Sequence, residues 1–71
     1  MNKDFLLDDA MDQVTAKTLK SMTYGDTVYL NDMFVLYHYC EDETIVITSE
    51  DDGDEECVCL YDGDKVIFEM L

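Results

Sequence analysis

The 71 residues contain no proline and no arginine, and only three glycines, three cysteines, one histidine and four lysines. Each shortage excludes something. Without proline or a Gly/Ser-rich stretch nothing divides the chain, and a length of 71 residues makes residues 1–71 a single domain. With four lysines as the only permanent cations, direct nucleic-acid binding is disfavoured, because phosphate contacts need Lys and Arg. No apolar run approaches the roughly 18 residues of a membrane span. The odd set Cys40, Cys57 and Cys59, with no signal-peptide pattern, points to a reducing, cytoplasmic setting. One histidine, no glycine-rich phosphate loop and no nucleophile elbow leave little for catalysis. Carboxylates abound, but exposed loops lack the burial that tunes such groups for acid–base work. The expectation is a protein that is not an enzyme and needs no cofactor.

What the chain does have is acid. Eighteen Asp and Glu against four Lys give a formal net charge of −14. A soluble domain needs a net charge of only about 2 to 8 in magnitude, and self-repulsion beyond that destabilises the compact state. Apolar residues still make up 48% of the chain, so only the charge half of the disorder signature is met. A chain this short buries only about 60% of its unfolded surface. The composition therefore describes a folded domain with a thin stability margin and an acidic exterior suited to a basic partner.

Periodicity supplies the architecture. From Asp4 to Met22, Phe5, Leu7, Ala10, Met11, Val14, Thr18, Leu19 and Met22 recur at helical steps. Acids come early and Lys17 and Lys20 late, as the helix dipole favours, and Gly25 is a plausible stop. After Gly25 the texture becomes strand-like at 27–30, 33–40, 44–48, 57–61 and 65–70. Asn31-Asp32, Glu41 to Glu43 and Asp62-Gly63-Asp64 are turn signals, and residues 49–56 form a longer acidic loop around Gly53. The predicted fold is α+β: one N-terminal helix packed on a five-stranded antiparallel meander sheet. Val66, Phe68 and Met70 are expected to face the helix. Tyr29, Tyr37, Tyr39, Cys57, Cys59 and Ile67 are expected to make the second face partly apolar, which suggests a homodimer or partner surface.

The charge is unevenly placed. Residues up to Met22 carry four acids and three lysines; the rest carries fourteen acids and one lysine. In a meander, turns alternate between the sheet ends. Asp32, Glu50, Asp51, Asp52, Asp54, Glu55 and Glu56 would gather at one end, and Asp26, Glu41, Asp42, Glu43, Asp62 and Asp64 at the other. A strand of five or six residues would hold the two ridges about 17–20 Å apart, loosely comparable to phosphate lines flanking a groove about 12 Å wide. Asp4, Asp8 and Asp12 add a smaller helical stripe, at a few tenths of a kcal/mol of repulsion per pair. The acids other than Asp26 in the two ridges are the candidate partner-binding residues, standing in for phosphates against a Lys/Arg cleft.

In size, charge and short helix-plus-sheet layout the chain resembles, as a class, the small acidic phage-encoded inhibitors: uracil-DNA glycosylase inhibitors, anti-restriction proteins and anti-CRISPR proteins. No motif residue carries the resemblance and these groups differ in fold, so it implies no architecture and no site. It implies a viral or mobile-element inhibitor of a basic nucleic-acid-binding host defence protein, acting in a bacterial cytoplasm. Two rivals remain, an acidic interaction module or dimerising regulator and a metal-stabilised fold. The loop from Glu50 to Glu56 departs from the EF-hand pattern. His38-x-Cys40 and Cys57-x-Cys59 have too short a gap for structural zinc and would be separated by the strand at 44–48. No metal is expected.

Overall fold

Two alternating periods meet in this chain, and the fold follows from where one gives way to the other. The computed structural model describes the backbone of residues 3–71 and the side chains of residues 5–71. Helices α1 (Lys3–Asp12) and α2 (Ala16–Ser21) precede strands β1 (Thr27–Tyr29), β2 (Phe34–His38), β3 (Ile45–Ser49), β4 (Glu55–Asp62) and β5 (Lys65–Met70). The strands form one antiparallel sheet in the order β1-β2-β3-β4-β5. This is the expected α+β meander.

The helical segment is broken where one helix over 4–22 was expected. Leu7, Ala10 and Val14 are buried in one half, and Ala16, Leu19 and Met22 in the other. Val14 and Ala16 are two residues apart, and positions i and i+2 do not share a helix face. A break is the only way to bury both sets. The end of α1 tightens through bonds from the N–H of Gln13 to the Ala10 carbonyl and of Val14 to the Met11 carbonyl, each 3.1 Å. Thr15 then turns extended and caps α2, its hydroxyl accepting from the Thr18 N–H at 3.2 Å. Phe5, expected on the apolar face, is exposed. Of the expected acidic stripe, Asp8 and Asp12 are exposed, while the Asp4 side chain lies outside the described residues.

Gly25 does not end the helix. Met22 follows α2 in extended conformation, and Gly25, with φ of 85°, occupies the third position of a turn closed by the Asp26 N–H on the Thr23 carbonyl at 3.0 Å. That is the glycine position of a type II turn.

The helices cover one face of the sheet. Leu7, Ala10, Val14, Leu19 and Met22 pack with Leu30, Phe34, Leu36, Ile45, Ile47, Cys57 and Cys59 into one core. The register places Leu36 beside Ile47, Ile47 beside Cys57 and Ile45 beside Cys59. Cys57 and Cys59 therefore lie on the helix face, not on the second face where they were expected. Val66 and Phe68 pack against this core as expected, whereas Met70, at the end of the edge strand, is exposed. A hydrogen bond between the paired thiols and burial push Cys59 far above the usual thiol range, which leaves it protonated and unreactive.

Candidate functional site

The meander delivers the acids to the two ends of the sheet. At one end, Asp32 lies in the β1–β2 turn and Glu50, Asp51, Asp52 and Asp54 lie in the β3–β4 loop, all exposed. These two connections are joined directly: the Glu50 N–H donates to the Met33 carbonyl at 2.8 Å. The β1–β2 turn is shaped by Asn31, whose side-chain oxygen accepts from the N–H groups of Met33 (2.9 Å) and Phe34 (3.0 Å). Its amide also donates to the Leu6 carbonyl of α1 at 3.1 Å. The loop is closed by the Gly53 N–H on the Ser49 carbonyl (2.9 Å) and the Ser49 N–H on the Asp54 carbonyl (2.8 Å). Asp52 serves this loop as well, accepting from the Asp54 N–H at 3.1 Å.

Glu55 and Glu56 were expected in that loop but belong to β4. A register shift between Ile47 and Thr48 sets Glu55 opposite Thr48. Glu55 thereby joins the sheet face that carries Tyr37 and Tyr39, with its carboxylate near the Tyr39 phenol. Burial first, then the Glu55 carboxylate, raise the Tyr39 phenol above its ordinary value.

The opposite end gathers Asp26, Glu41, Asp42, Glu43, Asp62 and Asp64, also exposed. Here too some acids have local work. Asp26 accepts from the Thr23 N–H at 2.8 Å and from its hydroxyl at 3.1 Å, and these bonds lower its carboxyl below the ordinary range. Asp42 accepts from the Thr44 N–H at 3.0 Å. Asp64 faces Lys20 at 3.8 Å, a surface pair of little energetic weight, with Asp64 fully exposed. The β4–β5 connection is Gly63-Asp64, with Gly63 at φ of 62°, one residue later than an Asp-Gly-centred turn; glycine in first place is the type II′ arrangement.

Sequence reasoning missed one corner at this end. Glu43 adopts a left-handed φ of 61°, a conformation non-glycine residues seldom take. Its carboxylate, near the Tyr24 phenol, raises that phenol above its ordinary value, with burial second. The Tyr24 ring packs on buried His38 at 4.9 Å between centroids. Nothing in the spacing of residues 24, 38 and 43 announces this contact, because it depends on the β1–β2 pairing.

The second face of the sheet is the other feature brought together by register. Tyr37 pairs with Val46, Val46 with Val58, and Leu60 with Ile67. Tyr29 and Val35 form a further row. No helix among the described residues lies on this side. Tyr29, Leu60 and Ile67 are exposed, yet Val46 is fully buried. Its cover comes from its own face, where Tyr37 is its cross-strand neighbour and packs edge to face with Tyr39 at 4.8 Å. The expected Tyr29, Tyr37, Tyr39 and Ile67 are all here, joined by Leu60 and Val58, which sequence reasoning had left out.

Among the described residues no three His, Cys, Asp or Glu side chains are arranged to hold a metal ion. His38 and Cys59 are each a strand away from Ile45, on opposite sides of it, and Cys40 is exposed beyond the end of β2. Among the described residues no helix is long and apolar enough to cross a membrane. The chain matches no protein-family model, no curated protein and no solved structure.

Proposed function

We propose that this chain is a non-enzymatic inhibitor that imitates nucleic acid with surface carboxylates and blocks a basic, nucleic-acid-binding host defence protein. An anti-CRISPR role is the first specific reading and an anti-restriction role the second. Both belong to the small acidic phage-encoded inhibitors that the composition resembles, and both act in the host bacterial cytoplasm. The observation that carries the reading is the sheet order. β1-β2-β3-β4-β5 sends Asp32 and the acids of residues 50–54 to one end, and Asp26, Glu41, Asp42, Glu43, Asp62 and Asp64 to the other. Five-residue β2 and β3 set the gap between the ridges at about 17 Å. Exposed carboxylates held in two lines by hydrogen-bonded turns attract a Lys/Arg cleft over long range at low salt and weakly at high salt.

The test is capture from bacterial lysate on immobilised protein at low and high salt, followed by competition with DNA and with RNA. A nucleic-acid-binding protein retained at low salt, released by salt and displaced by nucleic acid supports the reading. Retention of no such protein at low salt removes it.

A further inference from the structure

The uncovered sheet face has a chemistry of its own. It is not a bare apolar patch. In register with Thr48 stands Glu55, with Val58 stands Glu69, and with Asp62 stands Lys65. Carboxylates thus stand at the margins of the face, at the two ends of β4 and on edge strand β5, around the Tyr37–Tyr39 pair and exposed Tyr29 and Ile67.

Area and charge together select what can cover it. Five strands about 4.8 Å apart and about 17 Å long present roughly 400 Å². A stable interface takes about 800 Å² from each partner. Whatever covers the face must therefore also cover surface contiguous with it, and at both strand ends that surface is the acidic turns. A second copy of this chain, also at −14, would lay carboxylates on carboxylates. A partner with cations at its rim and centre meets no such penalty. Arginine fits the centre better than lysine, because its planar guanidinium stacks on a tyrosine ring while pairing with a neighbouring carboxylate.

We propose that the open face of the sheet is the docking surface for an arginine-rich protein surface, with the rings of Tyr29, Tyr37 and Tyr39 as stacking platforms and Glu55 and Glu69 as carboxylates on the same face. This rests on the reading of a basic partner given above and adds to it the face and the cation. The two carboxylate ridges then act as the rim, and the tyrosine face as the centre, where buried aromatic anchors contribute most.

The experiment uses the full chain and two defined probes, octa-arginine and octa-lysine peptides, followed by amide chemical shifts at low salt. Octa-arginine is expected to bind more tightly than octa-lysine and to shift Tyr29, Tyr37, Val58 and Ile67. Tyr29→Ser, at a position 69% exposed on an edge strand, is expected to weaken octa-arginine about threefold, the worth of an exposed cation–π contact, and to leave octa-lysine unchanged. Retained amide dispersion confirms that the variant is folded. Shifts confined to the turns, with no preference for arginine, overturn the face and keep the basic partner. Absence of binding by both peptides overturns the basic partner as well. A solution mass near twice 8.2 kDa with the same amides broadened before any peptide is added assigns the face to a second copy and also overturns the proposal.

Discussion

Single residues do local work that composition hides. Asp26 looks like one more acid in an acidic chain, yet it holds the Thr23–Asp26 turn through two hydrogen bonds from Thr23. Its folded carboxyl lies below the ordinary value of 3.8. A group lowered on folding stabilises fully above its unfolded value and loses that contribution as pH falls through the folded one. Asp26→Ala is therefore expected to melt at a lower temperature than the parent at neutral pH, with the gap closing at the acid end; thermal melts across pH check this. A constant gap would show that the turn does not depend on the charge. Asn31 makes the larger contribution. It satisfies two backbone donors in the β1–β2 turn and ties that turn to α1. Asn31→Ala is expected to cost about 1–3 kcal/mol by urea denaturation, since partly buried groups lose their partners. Neither role is written in residue identity alone. Asn and Asp favour turns, but which turn atoms they meet depends on the register that brings them there.

At the scale of elements, the strands were legible and the helix only in part. Runs of Val, Ile, Tyr and Phe broken by Asn31-Asp32, Glu41 to Glu43 and Gly63 predict five strands, and five form, with ends moved by up to two residues. Two ends move by two residues: β2 stops at His38 and not at Cys40, and β4 begins at Glu55 and not at Cys57. Polar Glu55 and Glu56 have weak strand propensity, and pairing with β3 overrides it. In the helical segment, the burial of both Val14 and Ala16 marked a change of face that a count of apolar steps ran through. The break leaves α2 only six residues long, too short to persist without its cap and its packing. Thr15→Ala is expected to cost about 1 kcal/mol in denaturant melts. An unchanged midpoint would mean that packing by Ala16 and Leu19 alone holds α2 in place.

The whole molecule carries −14 on a body with principal extents of 33 × 24 × 19 Å. Most of that charge sits on exposed turns at the two sheet ends, where like charges crowd. Added monovalent salt is expected to raise the melting temperature by screening this repulsion; a flat response in calorimetry would count against crowding. Replacing Glu50, Asp51, Asp52 and Asp54 with Lys is expected to leave the fold intact, because their side chains are exposed, with Asp52 losing one turn bond. In the capture experiment the same change is expected to reduce partner retention at low salt. Unchanged retention would move the contact to the opposite ridge or to the sheet face.

The sequence by itself determined the fold class, the number of strands, their order as a meander, and the concentration of charge after Met22. These follow from local rules: periodicity, turn chemistry and the short connections that make sequential strands neighbours. Tertiary structure alone decided which face each strand shows. A shift of one residue exchanges the faces, and the alternation in β2, β3 and β4 was too apolar on both sides to choose. Packing of Leu7, Leu19 and Met22 chose the side of Ile45, Ile47, Cys57 and Cys59. That choice buried the thiols, set Glu55 among the tyrosines and left the face with Tyr29, Tyr37 and Ile67 open.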